Sequence, residues 1–469
     1  MKKILYIAFI VVLFSSCSDF LEPKSQDKIV PNTVEQLKEF LLGEVIAREW
    51  NDGEDDLRFL PMMTDDVLYY KIPQQRRDLG EAYFGYYSWQ REPEIGVNNN
   101  MIKDLNWKHF YHDVFTCNII IDQIADMEGT DDEKNELFAE TYFMRANSYF
   151  MLVNLYGEPY DESTASTALG VPINDNPAIE NKLFKRNSVK EVYNKIEVDL
   201  LKSVEYFKNV TLGDNISFPR INATYLLLSR MYLFEKDYTN AKIYADLVIE
   251  NMQGNLADLN SFNNTYFINS ENSEVIFSYG LLADYIYKKT SSMAMYVITD
   301  EFKNLFDSED LRYKQYYPRD DLKKYFKSKC GCYGKAFRLT EAYLNRAEAE
   351  AYLDELSLAK DDINELRRNR YTEDSDYELA DIDKDSLIQT IKDERRKEFG
   401  YEYYRWFDLR RYGMPKIIHL YGFPGEEVTY VLEQGSASYT LPIPEEVIKL
   451  NPTITQIDRI NNEAVSSDN

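Results

Sequence analysis

Residues 391–413, IKDERRKEFGYEYYRWFDLRRYG, crowd large aromatics and charges of both signs into one short stretch. Ile391, Phe399, Tyr403, Trp406, Phe407 and Leu409 are interleaved with Arg395, Arg396, Glu398, Glu402, Arg405, Asp408 and Arg410. Such aromatics need a core, and charges carried into a core need partners there. The stretch reads as a helix, a break at Gly400 and a second short amphipathic turn. Glu402, Arg405 and Asp408 are three apart and would neighbour one another on a helix. A buried structural ion-pair network accounts for the pattern better than catalysis does.

The rest of the chain must therefore supply a large interior. Its 469 residues and 44% hydrophobic content allow two or three domains, or one helical solenoid with insertions. The net charge of −26 speaks against nucleic acid as a partner, since phosphates call for clustered Lys and Arg. It also speaks against electrostatic adsorption to anionic lipid. Of three histidines, His109 and His112 stand three apart with no third ligand, so they read as helix surface and no metal or other cofactor is expected. Cys117 lies among apolar residues and reads as a buried thiol.

Residues 1–16 have a basic start at Lys2 and Lys3 and an apolar run over 4–14, too short to span a bilayer and suited to a signal peptide. Cys17 follows Ser15 and Ser16 in a lipobox-like run, which predicts cleavage before Cys17 and lipidation of its thiol. Residues 17–32, broken by Pro23 and Pro31, are then a lipidated tether, and the protein is anchored rather than spanning. A single domain is expected over 33–460, with a polar tail at 461–469.

Helical periodicity is clear over 33–44, 107–127, 133–157 and 188–207, with Ser188 and Glu191 forming a capping box. Residues 219–250 fit a tetratricopeptide-type helix pair through Tyr225, Leu228, Ser229, Tyr232, Ala241, Ala245 and Val248. Residues 338–370 give a second copy through Tyr343, Ala347, Ala359, Ile363 and Leu366, while Arg346 and Glu350 do not fit. The expected fold is mostly α, with repeats over about 107–250 and 338–413. A small hairpin of 428–432 with 439–441 is expected near the C-terminus.

Two insertions are irregular and rich in aromatics. Residues 51–100 carry Tyr69, Tyr70, Tyr83, Phe84, Tyr86, Tyr87 and Trp89, and residues 251–334 carry Tyr285, Tyr287 and Tyr296. Sugar rings present C–H faces that stack on such side chains, while carboxylates and guanidiniums take the hydroxyls. Asp66, Tyr70, Arg77, Tyr87, Trp89, Tyr285 and Tyr287 are accordingly the candidate ligand residues. The competing reading is that loop aromatics pack down on the helices. Cys330 and Cys332 flank one glycine and, in an oxidising envelope, could form a local disulfide.

Several motifs together resemble the SusD/RagB family. They include Glu394, Arg395, Arg396, Glu398, Glu402, Arg405, Asp408, Leu409, Arg411 and Gly413, with Tyr401 where the family often has a small residue. Trp107, Tyr111 and Asn118, Arg145-Ala146, RLTEAYLNRAEAEAYL from 338, and Leu441-Pro442-Ile443-Pro444 with Asn451-Pro452 and Gln456 complete the likeness; Ile457 departs from it. The resemblance implies a tetratricopeptide-like scaffold with a loop-built ligand face. It also implies a surface-exposed outer-membrane lipoprotein that binds glycan, is not an enzyme, and hands its ligand to a SusC-like TonB-dependent transporter. A peptide ligand, as in the RagB-like branch, and a glycoside hydrolase built on two spaced carboxylates are the alternatives.

Overall fold

The computed structural model describes residues 31–47, 57, 59–69, 81–210, 218–262, 267–268, 272–279, 296–317, 336–423 and 425–465. Ten helices of eight or more residues lie among them. They are α1 (Val34–Leu41), α2 (Asn106–Gln123), α3 (Asp131–Tyr156), α4 (Val189–Phe207) and α5 (Ile221–Glu235). They continue with α6 (Tyr238–Asn251), α7 (Leu339–Tyr352), α8 (Leu356–Arg368), α9 (Lys384–Phe399) and α10 (Tyr404–Arg411). From α2 to α8 each helix packs on the next, and α9 returns onto α7. This succession is that of stacked helical repeats. None of the described helices is long and apolar enough to cross a membrane.

The longest helix, α3, starts at a capping box in which Thr130 accepts from the Glu133 amide and Glu133 accepts from the Thr130 amide. From Ala139 onward every one of its residues is buried, because α2 and α4 cover it on either side. The Ser188–Glu191 box opens α4 as the sequence suggests.

The two repeat pairs form where the spacing puts them. Leu228, Ser229, Ala241, Ala245 and Val248 are fully buried between α5 and α6, and the Ser229 hydroxyl donates to the Ala241 carbonyl at 2.9 Å. Ala347, Ala359, Ile363 and Leu366 are fully buried between α7 and α8. The two misfits of this copy are ion-pair partners. Arg346 grips Asp362 with two hydrogen bonds of 2.6 and 2.7 Å and reaches Asp246 on α6 at 2.8 Å. Glu350 faces Lys242 at 3.4 Å.

Among the described residues three two-stranded ladders complete the fold. β1 (Val67–Tyr69) pairs with β3 (Tyr296–Ile298), and β2 (Val275–Ser278) with β4 (Ala336–Arg338). β5 (Ile417–Tyr421) pairs with β6 (Val428–Leu432) across Gly422 and Gly425, both at positive φ. The expected hairpin partner 439–441 is thereby corrected. Tyr439 closes a short 3-10 turn instead, because the two glycines give the reversal one strand earlier.

Most of the stretch 391–413 is buried, as its aromatics require. Glu394 accepts from Arg312 at 2.6 Å, Lys397 at 2.7 Å and Arg367 at 2.8 Å. Glu398 accepts from Arg338 at 2.8 Å and Arg370 at 3.0 Å, and Arg338 also reaches Glu402 at 2.9 Å. Asp408 takes Arg395 at 3.0 Å and Arg411 at 2.8 Å. Glu402, Arg405 and Asp408 do not pair among themselves, since Glu402 precedes α10 and Arg405 turns to Asp65 at 2.6 Å. At Gly400 an added Cβ would strike the Phe302 ring, which fixes glycine at the break.

Two outcomes follow from this network. Glu398→Gln leaves the buried Arg338 and Arg370 short of a charge, and unfolding in guanidinium should show a loss of about 3–5 kcal/mol. Burial raises Glu394, but Lys397, Arg312 and Arg367 outweigh it and hold the carboxyl well below its ordinary value. Asp408 is likewise held down by Arg395 and Arg411 against its burial. The unfolded chain therefore takes up protons first as pH falls. Stability carried by these groups is present above the unfolded carboxylate range and is lost below about pH 4, which acid unfolding followed by circular dichroism should show.

Candidate functional site

One end of the molecule is built from aromatic rings contributed by four distant segments. β1 and β3 run antiparallel, so Tyr69 ends one strand opposite Tyr296, which begins the other. The Tyr69 amide donates to the Tyr87 hydroxyl at 3.0 Å, and that hydroxyl donates to the Leu420 carbonyl at 2.9 Å. This relay joins β1, the helical turn Phe84–Tyr87 and β5. Gly85 permits the turn, because a Cβ there would collide with the Pro93 and Ile95 carbonyls.

The rings grade from core to surface. Tyr296 and Tyr87 are fully buried, with centroids 5.4 Å apart. Tyr69 stacks on Tyr421 at 4.4 Å, Tyr421 meets Phe84 at 4.7 Å, and Phe84 meets Tyr430 edge-on at 5.5 Å. Phe84, Tyr421 and Tyr430 are half-buried, so each offers ring surface to solvent. Ile418 and Leu420 on β5 and Val428 on β6 are exposed beside them. Such a graded aromatic surface can hold a flat apolar face of a ligand while hydroxyls stay near water.

The candidate ligand residues divide into two groups. Asp66, Tyr87 and Trp89 lie inside the core and present no face to a ligand, which corrects their expected role. Asp66 accepts from Arg396 at 2.6 Å. The Trp89 indole N–H donates to the Met63 carbonyl at 3.0 Å, and its ring stacks on His419 at 4.2 Å. Asp66 Oδ1, the Tyr87 hydroxyl and the Trp89 indole N–H find guanidinium or main-chain partners in the interior, which lets a loop carry them inward. Tyr70, Arg77, Tyr285, Tyr287, Cys17, Cys330 and Cys332 lie outside the described residues. Tyr70 and Arg77 follow β1, and Tyr285 and Tyr287 precede β3. The strand ends at Tyr69 and Tyr296 face each other.

Tyr421 and Tyr430 were not among the expected residues. Their signal was the alternation of Ile417, His419 and Tyr421 against Ile418 and Leu420, which marks a strand paired across Gly422.

A second feature is a cavity of about 440 Å³ between residues 91–104 and 442–459. Pro93, Ile95, Pro442, Ile443 and Ile448 form its walls. Asp104 lies on it, accepting from the Tyr156 hydroxyl at 2.8 Å, and burial pushes its carboxyl up to about 7. Its one aromatic, Tyr86, is fully buried, so the cavity has no platform for a sugar ring. Among the described residues no group of His, Cys, Asp and Glu is placed to hold a metal ion.

A family described as starch-binding, associating with the outer membrane, matches residues 19–233, and the SusD family matches residues 323–459. SusD-like protein P25 of Formosa agariphila is 21% identical over 97% of this chain and 98% of its own length. A SusD superfamily protein of Bacteroides thetaiotaomicron superposes with a TM-score of 0.70 at 22% identity, covering 91% of this chain and 100% of that one. A SusD-like carbohydrate-binding protein of Bacteroides vulgatus gives a TM-score of 0.68 at 19% identity, covering 90% and 96%. With both halves matched, the repeats in place and the 391–413 network formed, this chain belongs to the SusD/RagB family.

Proposed function

We propose that the protein is a cell-surface lipoprotein, anchored through Cys17, that captures oligosaccharide for import by a SusC-like TonB-dependent transporter. The observation that carries this reading is the half-buried aromatic surface of Phe84, Tyr421 and Tyr430. It stands beside Tyr69, which ends β1 opposite Tyr296. Glycan binding is supported further by the Bacteroides vulgatus relative in fold, which is named for carbohydrate binding. The repeat helices would serve the transporter and the aromatic end the ligand. Binding without turnover is the expected behaviour.

Calorimetry of the chain from Ser18 onward, against a panel of polysaccharides and oligopeptides, tests the reading. Heat from one glycan class with no product released supports it. Binding of peptides alone moves the protein to a RagB-like role, and release of sugar makes it a hydrolase. Tyr430→Ala should weaken glycan binding about tenfold, or ~1.4 kcal/mol, while leaving the thermal midpoint nearly unchanged. Trp89→Ala should do the opposite. Deleting a fully buried indole should cost about 3–5 kcal/mol in denaturant unfolding, with ligand affinity kept in the fraction that folds.

A further inference from the structure

His419 is the buried residue whose contacts the fold alone leaves unexplained. Its Nδ1 lies 2.7 Å from the Tyr87 carbonyl and its Nε2 lies 2.9 Å from the Thr64 carbonyl. Its ring is sandwiched, with the Tyr87 ring at 4.1 Å and 14° on one side and the Trp89 ring at 4.2 Å and 24° on the other. The residue is 3% exposed, so water cannot serve either nitrogen.

We propose that His419 is the positioning residue of the aromatic end, held as a doubly protonated imidazolium by two main-chain carbonyls and two aromatic faces. A carbonyl oxygen only accepts. A neutral imidazole has one N–H, so its other nitrogen would set a lone pair against a carbonyl oxygen at hydrogen-bond distance. The imidazolium donates at both positions, and the faces of Tyr and Trp attract the cation between them. Each of these four contacts favours the charged form. The contacts also tie together the 64–66 turn, the Phe84–Trp89 segment and β5, which are the segments that set Phe84 and Tyr421.

Opposing this, burial pushes the imidazole down, to about 4, while the two carbonyls and Asp65 pull it up. The ionisable groups around it are few. Asp65 acts from the 64–66 turn and is bound by Arg405, and Asp66 beside it is bound by Arg396. Tyr430 stands opposite His419 in the strand register, and Glu81 acts on the neighbouring Tyr421. Among the described residues no cation faces the ring closely enough to enter this balance. Removing water costs the imidazolium its solvation, but the two carbonyls and two rings replace that solvation at all four directions.

The test is nitrogen-15 NMR on the whole chain with labelled histidine. The chain has three histidines, so His109→Gln with His112→Gln leaves His419 as the sole signal. At pH 7 both ring nitrogens should carry slowly exchanging protons; one bare nitrogen overturns the proposal. Stability gives a second readout. A folded pKa above the unfolded value near 6.5 contributes stability that is complete below about pH 6.5 and lost as pH rises through the folded pKa. The stability gap between the protein and its His419→Gln variant should therefore shrink on raising the pH from 6 to 9. A gap that stays constant or widens overturns the proposal. Neither readout needs ligand. Two ring protons without any glycan binding would defeat the proposed function and leave the imidazolium standing.

Discussion

The interaction on which the rest depends is the buried ion network centred on Glu394, Glu398 and Glu402. Arg312, Arg338 and Arg370 are fully buried, and each meets carboxylates from at least two positions in the chain. Isolated, any one of these charges would cost several kcal/mol to desolvate, so the network forms as a unit or not at all. Its members come from Glu274 before β2, the start of the helix Leu311–Tyr316, β4, Arg370 after α8, α9, and Glu402 in the link to α10. Closing it therefore docks the insertion between the two repeat pairs onto the C-terminal helices. The network gives little net stability over an apolar core of equal volume, but it ties one arrangement of these segments together.

That arrangement reaches the aromatic end through two side chains. Arg396 on α9 and Arg405 on α10 hold Asp66 and Asp65, the residues immediately before β1. β1 in turn fixes Tyr69 against Tyr421 and Tyr296. A chain of charge contacts thus ends in a chain of ring contacts. The left-handed backbone at Tyr401 and Tyr403, uncommon for such bulky residues, bends the chain from α9 to α10 so that both arginines face the same turn. The Tyr401 ring packs against Phe302 and Tyr317.

The helical scaffold was legible because its signals are local. Periodicity located α2 to α8, and small residues at Ser229, Ala241 and Ala245 located the close helix contact. The buried charges at 391–413 were legible as a network but not in their pairing, since Glu402 meets Arg338 and Arg405 meets Asp65 across long sequence separations. The ligand face was legible only as composition. Tyr87 and Trp89 look like Tyr70 in the sequence, and nothing local says that a carbonyl at Met63 or Leu420 waits inside for the indole or phenol. The residues that do reach the surface, Tyr421 and Tyr430, belong to a strand pair whose partner is set by two glycines rather than by hydrophobicity.

The C-terminal strap is held by a different device from the core. Arg410 and Arg459 are buried and Arg186 is half-buried, none has a carboxylate at ion-pair distance among the described residues, and burial pulls all three down to about 10. They donate to main-chain carbonyls instead. Arg186 binds those of Tyr156, Leu169, Gly170 and Thr455, Arg410 that of Gly157, and Arg459 those of Gln90 and Thr440. Tyr156 and Gly157 end α3, where unpaired carbonyls and the helix dipole concentrate negative charge. The helix-end carbonyls there accept from two guanidiniums, the part that carboxylates play for the core arginines. The strap at 440–459 is laid against that helix end by the same groups, with the Leu441 amide donating to Leu155 at 2.9 Å. The long buried helix is thus finished by cations taken from two remote segments, while Arg459 ties the strap to Gln90. This accounts for an extended, proline-rich C-terminus lying packed along the scaffold rather than loose in solvent.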